Sequence, residues 1–239
     1  MSSRNSAVDS KLLAQTWQGV AGIIDHTNLR PEATPDQIAR LCDEAREFGF
    51  GTVMINPCYV EMACSRLRGS NVTVGAVVGF PLGATLTSVK VFEARESMSL
   101  GAREIDMVMN IGALKAGERA VVLSDIRAVV EEVHTQGALL KVILETGLLT
   151  NEEKLLACEL SEKAGADFVK TSTGFLGGVA TVEDVAMMRR AVKIGVKASG
   201  GIRTASGAKA MIEAGANRLG TSSGVNIIHE LRNDEGGEK

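Results

Sequence analysis

Four charged residues interrupt stretches that otherwise read as buried β-strand. Asp106 lies inside Ile105-Asp-Met-Val-Met109, and Lys141 opens Lys-Val-Ile-Leu-Glu145. Lys170 closes Asp167-Phe-Val-Lys170, and Lys197 closes Ile194-Gly-Val-Lys197. An unpaired buried charge is costly, so each of these must be paired, neutralised or put to use. A salt bridge inside the core would satisfy any one of them. Two lysines at the ends of consecutive strands permit something else. Neighbouring strands lie about 4.8 Å apart, so both amines could reach one pocket. Desolvation and the neighbouring charge would then lower one lysine's pKa. A neutral amine attacks carbonyl carbon, and Asp106, two strands earlier, could balance charge and move protons. Lys, Lys and Asp around one cavity suit Schiff-base chemistry. The spacing alone does not say which lysine is the nucleophile.

Other polar residues sit near strand ends. Asp25-His-Thr27 and Glu145-Thr146 follow the first and fifth apolar runs. His26 reads equally as packed, solvated or catalytic. Lys141 and Glu145 would form a supporting ion pair if their strand is regular.

Two glycine-rich segments suggest an anion site. The seventh run is followed by Ala198-Ser-Gly-Gly-Ile-Arg203, the eighth by Gly220-Thr-Ser-Ser-Gly224 and a short helix from Val225. Glycines let backbone N–H groups approach an oxyanion, and a helix N-terminus favours negative charge. Thr171-Ser-Thr-Gly174 would add a third wall. No P-loop or dinucleotide fingerprint is present, and no carboxylate cluster calls for a metal.

These residues need elements to carry them. Eight apolar runs recur: 22–25, 52–56, 72–80, 104–110, 139–145, 167–171, 195–198 and 217–220. They read as buried parallel strands. Amphipathic stretches with helix signals lie between them. Thr34 caps a helix with Pro35 at its first turn; Ile38, Leu41, Cys42, Ala45 and Phe48 mark one face, and Gly49 stops it. Thr150 and Glu153 form a capping box, Thr181 and Thr204 are similar caps, and residues 118–134 make a longer helix. Residues 100–106, 164–170 and 214–220 echo one another as a helix-ending glycine before a strand. The expectation is an α/β protein, a (β/α)8 TIM barrel with a short leading helix over 11–20. A doubly wound open sheet is the runner-up. No linker divides residues 1–239, so one domain is expected, with 1–10 and 233–239 frayed.

Composition sets bounds. The chain has 239 residues, 45% apolar and 23% charged, with a net charge of −3. That suits a globular domain and argues against a nucleic-acid or anionic membrane surface. No apolar run approaches a membrane span, and the first residues lack a signal-peptide core, so a cytoplasmic location is expected. Four cysteines without CxxC spacing read as reduced thiols.

The motifs also resemble a known family. Asp25-His-Thr-Asn-Leu-Arg-Pro31, Val53-Met-Ile-Asn-Pro57, Val78-Gly-Phe-Pro-Leu-Gly83, Glu104-Ile-Asp-Met-Val-Met-Asn110, Lys141-Val-Ile-Leu-Glu-Thr146, Phe168-Val-Lys-Thr-Ser-Thr-Gly-Phe175 and Val196-Lys-Ala-Ser-Gly-Gly-Ile-Arg203 stand in the order found in the deoxyribose-phosphate aldolases. The resemblance covers about 24–228. It implies that Lys170 forms the Schiff base, that Lys197 lowers its pKa, and that Asp106 and Lys197 donate and accept protons. Gly174, Gly200, Gly201, Gly220, Ser222 and Ser223 would bind the substrate phosphate, with Asp25, Thr171 and Lys141 in support. It further implies a small sugar phosphate and an aldehyde as ligands, no cofactor or metal, and a homodimer or homotetramer. The implied reaction is reversible cleavage of 2-deoxy-D-ribose 5-phosphate to acetaldehyde and glyceraldehyde 3-phosphate, in deoxyribonucleoside breakdown. Another class I aldolase of a sugar phosphate, or a non-catalytic barrel that binds one, are the alternatives. Three positions depart from the family. Phe175 stands where some members have lysine, and Met54 where several have cysteine. No tyrosine closes the chain, Tyr59 being its only one.

Overall fold

The computed structural model describes residues 16–236. Eight parallel strands close on themselves in sequence order. They are β1 (Ile24–Asn28), β2 (Thr52–Ile55), β3 (Thr73–Val78), β4 (Glu104–Val108), β5 (Leu139–Ile143), β6 (Phe168–Lys170), β7 (Gly195–Ser199) and β8 (Arg218–Thr221). Ten α-helices accompany them in the described residues: α1 (Trp17–Gly22), α2 (Pro35–Phe48), α3 (Val60–Arg66), α4 (Thr87–Ser99), α5 (Ile111–Lys115), α6 (Arg119–Thr135), α7 (Asn151–Ala164), α8 (Val182–Ala191), α9 (Ala205–Glu213) and α10 (Gly224–Gly236). The expected (β/α)8 barrel is what forms.

Local signals explain the boundaries. Thr34 and Gln37 close a reciprocal cap on α2, Pro35 fills its first turn, and Gly49 ends it at φ 70°. The expected face, Ile38, Leu41, Cys42, Ala45 and Phe48, is the one that is buried. Thr150 and Glu153 cap α7 in the same way. The apolar core is the shell between strands and helices, built from outward-facing residues such as Val53, Ile105, Val142, Val169 and Val196. A barrel's inward-facing residues are free for another use.

Several boundaries differ from expectation. Gly22 ends α1 rather than opening a strand, and β1 runs on to Asn28, so Asp25, His26 and Thr27 lie within it. Lys141 and Lys197 are each the third of five strand residues, not strand ends. The helix after β8 is thirteen residues long, not short, and it carries 233–236 with it. Of the expected leading helix, 11–15 fall outside the described residues, as do the expected frayed 1–10.

Candidate active site

Side chains alternate across a strand, so Glu104 and Asp106 share the inner face of β4. By the same parity β1 turns Asp25 inward, and β5, β6, β7 and β8 turn in Lys141, Lys170, Lys197 and Arg218. Register sets their heights: Asp106 is level with Lys141, and Lys170 with Lys197. Lys170 and Lys197 are neighbours although Lys197 is not a strand end.

The seven groups form one network. Asp106 Oδ2 accepts from Lys170 Nζ at 2.8 Å and from Lys197 Nζ at 2.7 Å, and its Oδ1 accepts from Lys141 Nζ at 3.0 Å. Lys197 also donates to Asp25, and Lys141 to Glu104. Arg218 spans two carboxylates, Asp25 Oδ1 at 2.8 Å and Glu104 Oε1 at 2.7 Å. Lys141 and Lys197 thus each donate to two carboxylates, with Asp25 a third beside Lys141 at 3.6 Å, whereas Lys170 holds one. With Lys170 as a free amine, three cations face three anions. A proton on Lys170 leaves one positive charge in excess.

The titration directions follow from this arrangement. Burial pushes the Lys170 amine down, and Lys197 and Lys141 add to that; Asp106 opposes them, and the pKa settles at about 8. Burial also works against the Lys141 ammonium, but Asp106, Glu104 and Asp25 overcome it and raise the value. For Asp106, burial favours the neutral acid, yet Lys141, Lys170 and Lys197 hold it well below the ordinary carboxylate value. Asp25 is lowered likewise, by Lys197, Lys141 and Arg218 against burial.

A cavity of about 840 Å³ opens above this network at the C-terminal ends of the strands, and of the three lysines Lys170 alone lines it. Its walls include Thr173, Gly174 and Phe175 after β6, Gly200, Gly201 and Arg203 after β7, and Gly220, Thr221 and Ser222 at β8. Gly220 has a second use. A Cβ there would come within 3.0 Å of Lys197 Cε, so its bare backbone makes room for the buried lysine. Asp25, Asp106, Lys141 and Lys197 lie below the floor.

Three expected residues sit elsewhere than on the cavity wall or in the expected pair. Thr171 does not line the cavity; its Oγ1 donates to the Ser199 carbonyl at 2.8 Å and accepts the Ser199 N–H at 2.9 Å, tying β6 to β7. Ser223 is also off the wall, and its N–H donates to Thr221 Oγ1. Glu145 makes no pair with Lys141. The chain leaves β5 after Ile143 and turns Glu145 to φ 58°, where its carboxylate takes the Thr173 N–H at 3.0 Å. Sequence reasoning also missed Glu104, Arg218 and Arg203. The first two share inward parity with Asp106 and Gly220, a signal available in Glu104-Ile-Asp106. Phe175 stands edge-on to Phe80 at 5.2 Å, and Met54 packs with Leu29 and Val77 in a separate apolar cluster.

A family model described as DeoC/LacD family aldolase matches residues 20–230. This chain belongs to that aldolase family. Within it, a deoxyribose-phosphate aldolase of Thermococcus gammatolerans is 58% identical over 90% of this chain and 98% of its own. Deoxyribose-phosphate aldolase 1 of Bacillus licheniformis is 55% identical over 90% and 97%. Among solved structures, the aldolase of Aeropyrum pernix, described as a unique tetramer, superposes with a TM-score of 0.88 at 32% identity, covering 97% of this chain and 99% of that one. The matched span of this family member contains every residue of the ionic network and every cavity-lining glycine.

Proposed function

We propose that this protein is a deoxyribose-phosphate aldolase that cleaves 2-deoxy-D-ribose 5-phosphate reversibly through a Schiff base on Lys170. The observation that carries the reading is the position of Lys170. It is the one lysine of the network on the cavity wall, and its amine is the one pushed down to about 8. The shared name of the close relatives supports the substrate.

The chemistry runs as follows. The Lys170 amine attacks C1 of the open-chain sugar, and loss of water leaves a protonated imine, an electron sink. A base takes the C3 hydroxyl proton; we assign this to a water held by Asp106 and Lys197. The C2–C3 bond breaks, its electron pair forms an enamine, and glyceraldehyde 3-phosphate leaves. Protonation at C2 and hydrolysis release acetaldehyde and the amine. Lys197 supports the step by keeping Asp106 ionised and the Lys170 amine partly free. Gly174, Gly200, Gly201, Gly220 and Ser222 offer the phosphate a wall, with Arg203 beside it.

The test is reduction with borohydride in the presence of acetaldehyde, followed by peptide mass spectrometry. N-ethyllysine at position 170 is expected. An adduct at position 197 instead, or none at all, overturns the assignment. We further propose a cytoplasmic homo-oligomer, dimer or tetramer. The tetrameric relative supports it, as does an exposed apolar strip of Leu82, Leu86, Val89 and Phe92 on and before α4.

A further inference from the structure

His26 faces away from the barrel interior and is 2% exposed. Its Nε2 is 2.7 Å from Glu44 Oε2 on α2, and its ring packs 4.8 Å from that of Phe50. The Thr221 backbone lies beside the ring, and Nδ1 has no hydrogen-bond partner. A Cβ on Gly224 would come within 3.0 Å of Nδ1, so the ring sits directly beneath the first residue of α10. His26, Glu44, Thr221 and Ser222 all reach the cavity. A buried ring nitrogen left without a partner carries a desolvation cost. Protonation turns it into a donor towards the Thr221 backbone while Nε2 keeps Glu44. The charge so gained lies under the turn that leads into α10, whose free N–H groups already favour an anion.

We propose that His26, steered by Glu44, is a positioning residue for the phosphate-binding turn 221–224 and takes up a proton when a dianion binds there. The inference rests on the phosphate site of the function proposed above. Other charged groups near the ring are engaged or turned away. Asp25, next in the chain, points into the barrel towards Lys197 and Arg218. Arg40, one turn back on α2, lies on the cavity wall. From α10, Glu230 takes the Ala205 N–H, and His229 packs edge-on against Phe48. In the free protein burial outweighs Glu44 and lowers the imidazole below its ordinary value of 6.5, so the ring is neutral at pH 7 and available to accept.

Coupling between two sites is reciprocal: if protonation tightens the anion, the anion raises the imidazole pKa by the same factor. The chain has three histidines, so its imidazole nitrogens can be followed by NMR and His26 assigned from the His26→Gln spectrum. The titration runs from about pH 4.5 to about 8, across the ordinary histidine range, without and with saturating sulfate, whose charge stays fixed. The His26 midpoint is expected to rise by about one pH unit, a tenfold coupling. In Glu44→Gln both midpoints should fall, because the acceptor charge is gone. A midpoint unmoved by sulfate, while the backbone amides of 221–224 respond to it, overturns the role of His26 and leaves the phosphate site standing. Amides that do not respond at all overturn the phosphate site and this inference with it.

Discussion

Replacing Lys197 by methionine removes one cation and leaves the chain length nearly intact. In the network, Lys197 holds Asp25 and Asp106 and stands level with Lys170. Without it, Lys141 and Arg218 face three carboxylates, and the proton on Lys170 becomes the third balancing charge. The Lys170 pKa should therefore climb from about 8 towards its ordinary 10.5. At pH 7 the free amine is about one part in ten for the first value and about one in 3,000 for the second. The expected loss is thus roughly 300-fold at pH 7, about tenfold for each pH unit of the rise. It should shrink as pH rises, to about fourfold by about pH 10. The added methyl of methionine favours the neutral amine and trims the effect. The assay is the initial rate of borohydride-trapped adduct against pH. A Lys197→Met profile that still turns near pH 8 refutes the charge argument. Lys170→Met should trap nothing at any pH; an adduct in that variant reverses the roles of the two lysines.

Further outcomes are expected. Gly201 has φ 78°, and a Cβ there would meet Val179 at 3.0 Å. Gly201→Val should therefore lower the ratio of kcat/KM for deoxyribose 5-phosphate over free deoxyribose by at least tenfold, because remote phosphate binding is used to lower the barrier. An unchanged ratio counts against the phosphate wall. Cleavage should persist in excess EDTA, since the protonated imine supplies the electron sink; loss of activity restored by a divalent cation would contradict this. Asp25 and Asp106 have folded pKa values below their ordinary 3.8. Their contribution to stability is thus present above about pH 4 and is lost as pH falls below it. The thermal midpoint should ease down below about pH 6.5, where the buried His26 imidazole takes its proton less readily than in the unfolded chain, and drop steeply below pH 4; no further drop between pH 4 and 3 would show the two carboxylates to be unimportant. Leu86→Asp, in the exposed strip, should lower the mass measured by light scattering, and an unchanged mass puts the contact elsewhere.

What the sequence exposed and what it hid have a common cause. Asp106, Lys141, Lys170 and Lys197 were legible because each interrupts an apolar run, where a charge demands an explanation. Glu104 and Arg218 were not, because they open their strands and a polar residue at a strand edge looks solvated. Only closure of the barrel takes them out of water; Glu104 is 3% exposed although it opens β4. Glu145 failed the other way. Its parity with Lys141 held on paper, but the backbone leaves the strand two residues earlier, and a left-handed turn sends the carboxylate to the loop after β6. Thr171 carries a hydroxyl inside a polar motif, and no local signal says whether it meets a ligand or bonds the backbone of the next strand. The two lysines show the same limit. Both end apolar segments, and neither spacing nor type separates them. What separates them is contact: Lys197 touches two carboxylates under the floor, while Lys170 touches one and reaches the cavity. Burial pushes the Lys170 amine down, Lys197 and Lys141 add to that, and Asp106 opposes them only in part. The proposed nucleophile is therefore marked by burial, neighbouring cations and access to the cavity together, a property of the closed ring that no single strand encodes.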